Sequence, residues 1–243
     1  MARAPLPPPG RFHELSLATD DIRASVEFYE RLGFSQTVTA DTYAHPYGVL
    51  TDGRVHIGLH QRRGVSPTLT FVRPGIAACL AEFAALGIEL TLCRTGEDVF
   101  NEIGFAGPHG ESVRVIEART YSPAARSSAE VSLCGDFAQL SLPATDFAAA
   151  RTFWEPLGFV ATDEVAAPYE HLPLTSDHLD LAFHRPRTCD APLLVFRAAD
   201  MAQRIERLRT LGVAEEASPR GIARGTLLAS PEGTLLLLLS DSD

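Results

Sequence analysis

Asp21-Ile22-Arg23-Ala24-Ser25-Val26-Glu27-Phe28-Tyr29-Glu30-Arg31-Leu32-Gly33-Phe34 is the stretch that decides the fold, because the chain writes it twice. Its second copy runs from Asp146 through Phe153-Trp154 to Leu157-Gly158-Phe159. The offset is 125 residues throughout, from Asp21 to Asp146 and from Gly33 to Gly158. Working outward, Leu15-Ser16-Leu17 is answered by Leu140-Ser141-Leu142, and Leu86-Gly87-Ile88 by Leu211-Gly212-Val213. A period of this length exceeds any solenoid repeat and marks a duplicated domain.

Within each copy the pattern alternates between strand and helix. Residues 12–18 read as a strand, and Asp20 or Asp21 caps the helix that follows. Ile22, Val26, Tyr29 and Leu32 fall at helical spacing, and Gly33 ends the run. Strands are predicted over 34–40, 48–50 and 54–60, the last two turned by Thr51-Asp52-Gly53. A second round follows, with a strand at 68–72, a helix at 76–86 and strands at 88–93, 101–105 and 112–116. The later copy repeats this over 137–185 and 193–239. The expectation is an α+β fold of four βαβββ units, forming two cupped mixed sheets with helices outside. The domains are expected at 11–120 and 133–241, joined by a Ser- and Ala-rich linker at 121–132.

Bulk properties narrow the function classes. The 243 residues suffice for two ordinary domains, and 45% hydrophobic with 21% charged residues is usual for a soluble globular chain. A balance of 21 basic and 31 acidic residues gives a net charge of −10, which argues against nucleic acid or anionic membranes as partners. Cys79, Cys93, Cys134 and Cys189 lie far apart without a CxxC pair, as expected of reduced thiols in a cytoplasmic protein. The Pro-rich opening lacks the apolar core of a signal peptide, and the Leu235 to Leu239 run is a buried strand rather than a membrane span. No phosphate loop, nucleophile elbow or HExxH motif appears.

The repeated Asp-x6-Phe-aromatic…Leu-Gly-Phe segment resembles the opening signature of the vicinal oxygen chelate superfamily. That group includes glyoxalase I, bleomycin-resistance proteins, fosfomycin-resistance enzymes and extradiol dioxygenases. Pro108-His109-Gly110 before the strand Ser112-Val113-Arg114-Val115-Ile116 is similar to its closing turn, and both signatures recur in copy two. The resemblance implies a ligand or metal site inside each cup, with a divalent metal held by His and Glu at matched strand positions. Carried onto this chain, those positions fall at Glu14, Gly58, Pro67 and Arg114, and in copy two at Gln139, Ala182, Pro192 and Leu237. Few of these are metal donors. The primary expectation is therefore no cofactor. An alternative metal set is His13, His56 and His60, which needs a bulge, since neighbouring strand residues face opposite ways.

Glu14, Ser16, His56, His60, Arg114 and Tyr47 are the candidate ligand-binding residues. In one reading Arg114 pairs an anionic ligand and His56 or His60 handles a proton. In the other a Glu14–Arg114 salt bridge simply crosses the sheet. His60 is echoed by His184, and a structural role is the plainer reading of both. Tyr43-Ala44-His45-Pro46-Tyr47 parallels Ala167-Pro168-Tyr169-Glu170-His171, either walling a cup mouth or forming ordinary turns. Phe28 with Tyr29, and Phe153 with Trp154, read as core; His109 reads as a turn residue. The second cup is greasy, with Leu235 and Leu237 where copy one has Ser112 and Arg114.

Three functions follow from the sequence: metal-free binding of a small molecule, a lyase or dioxygenase with a non-standard His/Glu metal site, or a degenerate scaffold for another protein. Either a monomer or a homodimer is compatible, since fused copies mimic a dimer of single domains.

Overall fold

The structure is a computed structural model that describes residues 8–38, 43–118 and 132–241. The predicted linker therefore lies almost wholly outside the described residues. In the first copy the order is β1 (Arg11–Ala18), α1 (Ile22–Arg31), β2 (Ser35–Gln36), β3 (Tyr47–Thr51) and β4 (His56–His60). Then come β5 (Thr68–Arg73), α2 (Ile76–Ala85), β6 (Leu90–Arg94), β7 (Glu102–Ala106) and β8 (Ser112–Glu117). The second copy runs β9 (Asp136–Pro143), α3 (Phe147–Trp154), β10 (Val160–Ala161), β11 (His171–Thr175) and β12 (Leu181–His184). It closes with β13 (Leu193–Ala198), α4 (Met201–Thr210), β14 (Thr226–Ala229) and β15 (Leu235–Ser240).

The repeated aspartates act as the sequence suggests. Asp21 accepts from the Ala24 amide at 3.1 Å, and Asp146 from the Ala148 and Ala149 amides at 2.9 and 3.1 Å. Each side chain satisfies amides that the first helical turn leaves without a partner. Gly33 sits at φ +88 just past α1, a left-handed turn that side-chain-bearing residues resist. Of the predicted strand at 34–40, Ser35–Gln36 pairs with β3, and residues 39 and 40 lie outside the described residues.

Two sheets result, ordered β2-β3-β4-β1-β5-β8-β7-β6 and β10-β11-β12-β9-β13-β15-β14. In each, the two units meet through antiparallel central strands, β1 with β5 and β9 with β13. Units thus pair within a copy, a choice the sequence leaves open. Along these strands one face is apolar, with Leu15, Leu17, Ile57, Leu59, Phe71 and Val115 in the first sheet. The same cluster includes Leu140, Phe183, Phe196 and Leu236 of the second sheet, with Tyr29 of α1 and Trp154 of α3. The helix-bearing faces of both sheets therefore share one core, and the opposite faces form the cups.

Each closing turn also reaches the other copy. Glu232 accepts from Ser25 Oγ at 2.8 Å and Tyr29 Oη at 2.7 Å, and His109 lies 2.8 Å from the Asp146 carbonyl. His109 is thus an inter-domain contact rather than a plain turn residue. No helix among the described residues is long and apolar enough to cross a membrane.

Candidate functional site

Strand alternation brings Glu14 and Ser16 of β1, Thr70 of β5, Gly58 and His60 of β4, and Arg114 of β8 onto the cup face of the first sheet. The β1–β5 register shifts between Phe12 and Glu14, leaving His13 as the extra residue of a bulge. The bulge carries His13 Nε2 to 4.0 Å from Glu14 Oε2.

Glu14 is 1% exposed, yet its oxygens are well supplied with donors. Tyr47 Oη donates to Oε2 at 2.5 Å, Ser16 Oγ donates to Oε1 at 2.8 Å, and His60 Nε2 lies 3.3 Å from Oε1. Burial by itself pushes the Glu14 carboxyl up. The hydrogen bonds of His60 and Tyr47, the nearby His13 ring and the Ser16 hydroxyl outweigh it and hold the group below its ordinary 4.5. Gly58 makes room for this arrangement, because a Cβ there would lie 2.5 Å from the Glu14 carboxyl carbon. Burial and the adjacent Glu14 carboxylate push the Tyr47 phenol well up, so Tyr47 stays a donor.

The expected Glu14–Arg114 bridge is not what forms. Arg114 Nε donates to Glu102 Oε2 at 2.6 Å, and Arg94 reaches Oε1 of the same carboxylate at 2.9 Å. Glu102 is on the neighbouring strand β7, where Gly104 faces Arg114 in register, so the guanidinium turns along the sheet to a nearer acid. Glu102 and Arg94 were not singled out in the sequence. The signal available was the alternation of β7, which puts Glu102 on the cup face.

The 43–47 segment walls the cup instead of merely turning. The Tyr43 ring centre lies 4.8 Å from Tyr47, 4.9 Å from His60 and 5.2 Å from His45, with the Arg114 guanidinium 5.7 Å away over its face. His45 Nε2 is 3.0 Å from His60 Nδ1. Burial, then His60, Arg62 and Arg114, hold the His45 pKa below 6.5. His56 shares the face with His60 at the opposite end of β4, beyond Gly58, and pairs in register with Thr51. The structure thus draws Glu14, Ser16, Tyr47 and His60 into one hydrogen-bonded group, sets Arg114 beside it, and leaves His56 at the far strand end.

Residues 11–110 match the family model of the Glyoxalase/Bleomycin resistance protein/Dioxygenase superfamily. Among solved structures, homoprotocatechuate 2,3-dioxygenase from Arthrobacter globiformis aligns with TM-score 0.67 and 14% identity, over 97% of this chain and 81% of that one. The Mn(II)-bound glyoxalase from Novosphingobium aromaticivorans gives 0.65 and 16%, over 96% and 82%. The 2,3-dioxygenase LapB from Pseudomonas sp. KL28 gives 0.63 and 17%, over 95% and 91%. The fold is that of the vicinal oxygen chelate superfamily. No curated protein matches the chain.

The superfamily includes metal proteins, and the residues here fit a metal poorly. Of the positions carried over by resemblance, Gly58 has no donor and Arg114 is a cation held by Glu102. Pro67 stands before β5, and in its place Thr70 joins Glu14 and Arg114 in one register row. Pro67 and its counterpart Pro192 line a crevice of about 110 Å³ between the copies. Glu14 already accepts three donors. Among the described residues no group of three or more His, Cys, Asp or Glu is placed to hold a metal ion, the set His13, His56 and His60 included.

The second cup is closed by its own side chains. Tyr169, Cys189, Leu193, Val195, Ile222, Leu227, Leu237 and Leu239 form a separate buried cluster there. Gln139 takes the place of Glu14 and donates to Tyr169 Oη at 3.1 Å. His184 has a structural role, with Nδ1 2.8 Å from Ser141 Oγ and Nε2 3.0 Å from the Cys189 carbonyl. Burial lowers its pKa from 6.5 to about 4. His60 and His184 are thus equivalent in place and different in use.

Proposed function

We propose that the chain is a small-molecule binding protein whose working site is the first cup, taking an anionic ligand without a divalent metal. The observation that carries this reading is the contrast between the cups: one is packed with leucines, while the other keeps Glu14, His60, Tyr47 and Arg114 behind a wall of part-exposed aromatics. The Arg114 guanidinium over Tyr43, with Arg62 also acting on Tyr43 and His45, favours a negative charge on the ligand. Tyr43 and Tyr47 offer ring faces to its apolar body. The domain limits at 11–120 and 133–241, and the cytoplasmic location suggested by four free thiols, belong to this reading.

The test is a thermal-shift screen of the full chain against carboxylates, phosphates and sulfonates. A bound anion at a hundredfold excess over its Kd should raise the melting temperature by about 5–10 °C. Arg114→Met should remove that shift. A flat response across the whole panel would refute the reading.

One observation favours a metal-dependent lyase or dioxygenase as the second reading: the bulge that turns His13 toward Glu14, whose other oxygen meets His60. Elemental analysis of protein purified without chelators separates the two. Near-stoichiometric metal, lost in His60→Ala, would replace the binding reading. The scaffold reading draws support from the filled second cup and none from the first.

A further inference from the structure

The duplication makes two equivalent seams between the copies, and they are finished differently. Gly135, ahead of β9, answers to Gly10, ahead of β1, at the same offset of 125 residues. Both are left-handed, at φ +91 and +86, and a Cβ would strike the Arg197 carbonyl in one and the Val72 carbonyl in the other. Just before them, Leu133 answers to Pro8. The Leu133 amide closes its seam by donating to the Leu32 carbonyl at 2.7 Å. Leu157 is the equivalent of Leu32, and Pro8 has no N–H to give it. Among the described residues no amide donates to the Leu157 carbonyl.

At this second seam lies a cleft of about 550 Å³, lined by Pro8, Phe12 and Phe71 of one copy and Leu157, Phe159 and Val160 of the other. Such a volume suits a small molecule, and a seam between domains is a common place for one. Val160 is 63% exposed there, so an apolar body would cover surface that water now meets. The lining also carries two carboxylates, Glu155 from the turn before Gly158 and Asp177 from the turn between β11 and β12. No lysine or arginine lines the cleft. Burial, then Arg11, holds the pKa of the lining His178 below 6.5, so its ring brings no charge near pH 7. In the adjoining hollow Arg54 is paired with Asp136 at 3.2 Å.

We propose that this cleft is a second ligand site, and that it takes an organic ammonium with an aromatic body. The charge is held by Glu155 and Asp177, and the ring lies over Val160 and the phenylalanine floor. The net charge of −10 favours the approach of a cation. The site is independent of the first cup, which carries the opposite charge preference and is built within one copy.

Calorimetric titration of the full chain tests the proposal with two probes of one shape, 2-phenylethylammonium and 2-phenylethanol. The ammonium should bind about tenfold tighter than the alcohol. Glu155→Gln with Asp177→Asn removes two exposed charges without touching the core, and should erase that preference while leaving the alcohol's affinity unchanged. Val160→Arg sets a competing cation in the cleft and should abolish ammonium binding. Arg114→Met, at the first cup, should leave both affinities as they are. Equal binding of the two probes, no binding of the ammonium, or ammonium binding that survives loss of both carboxylates would overturn the proposal. So would its loss in Arg114→Met, which would move the ligand to the first cup. None of these results bears on the anion screen of the first cup, whose failure is read separately.

Discussion

Gly58 and Ala182 occupy equivalent places beside the central strands, opposite Ser16 and Ser141, and they separate the chemistry of the two cups at the level of single residues. The missing Cβ at Gly58 is filled by the Glu14 carboxylate. Gly58→Ala should therefore destabilise the chain by about 1–3 kcal/mol, as overpacking does. The loss should shrink when Glu14→Ala is added, because the two positions share one volume. Urea denaturation of the four proteins in that cycle checks this. His184 supplies a pH dependence with a definite sign. Its folded pKa of about 4 lies below the unfolded 6.5, so unfolded chains bind the proton first. Stability is full above pH 6.5 and falls as the pH drops toward 4, by about 3 kcal/mol at most. Urea midpoints measured between pH 7 and 4 should slope less in His184→Asn. Glu14 adds a second loss further down: its folded pKa is depressed below 4.5, so its contribution is lost as the pH falls through that folded value.

Elements differ between the copies in one place with consequences for function. The first sheet has the eighth strand β6, whereas residues 214–225 keep only a single bridge, between Glu216 and Leu227. Released from the sheet edge, this segment brings Ile222 into the second cup's buried cluster. The Ala223 amide donates to the Pro168 carbonyl at 2.9 Å and ties the segment to the loop before β11. Ile222 is 6% exposed, so Ile222→Ala should cost about 2–4 kcal/mol through lost burial and the cavity left behind. Chemical denaturation checks the loss, and ligand affinity at the first cup should not move. The same comparison explains why the 43–47 segment is hard to read from sequence. Tyr47 and His171 are equivalent, each opposite a strand-end histidine, but one turns to Glu14 and the other bonds its own chain at Tyr169.

At the scale of the molecule, the shared core and the crossed turns bind the copies into one unit. Phe34 packs edge-on against Phe196, Phe105 meets Phe153, and the Leu133 amide donates to Leu32 at 2.7 Å. Thermal unfolding should accordingly be a single transition, with calorimetric and van't Hoff enthalpies that agree. Glu232→Ala should lower stability by about 1–3 kcal/mol, because it leaves the fully buried Tyr29 hydroxyl without its acceptor. Two resolved calorimetric peaks in the wild-type chain would contradict this account.

The amino-acid sequence by itself determined the duplication, the order of strands and helices except for the expected strand after α4, which the structure replaces with a single bridge, the capping aspartates at 21 and 146, and the face on which Glu14, Ser16 and His60 lie. All of these follow from local periodicity, which is a property of neighbouring residues. The tertiary structure decided the partners. Arg114 has a long side chain with several acids within reach, and only the register of β7 beside β8 selects Glu102 over Glu14. The role of Gly58 depends on which carboxylate lies above it, and the fate of the second cup depends on where residues 214–225 go after leaving the sheet edge. These are contacts between segments far apart in the chain, set by sheet order and side-chain reach, and no periodicity records them.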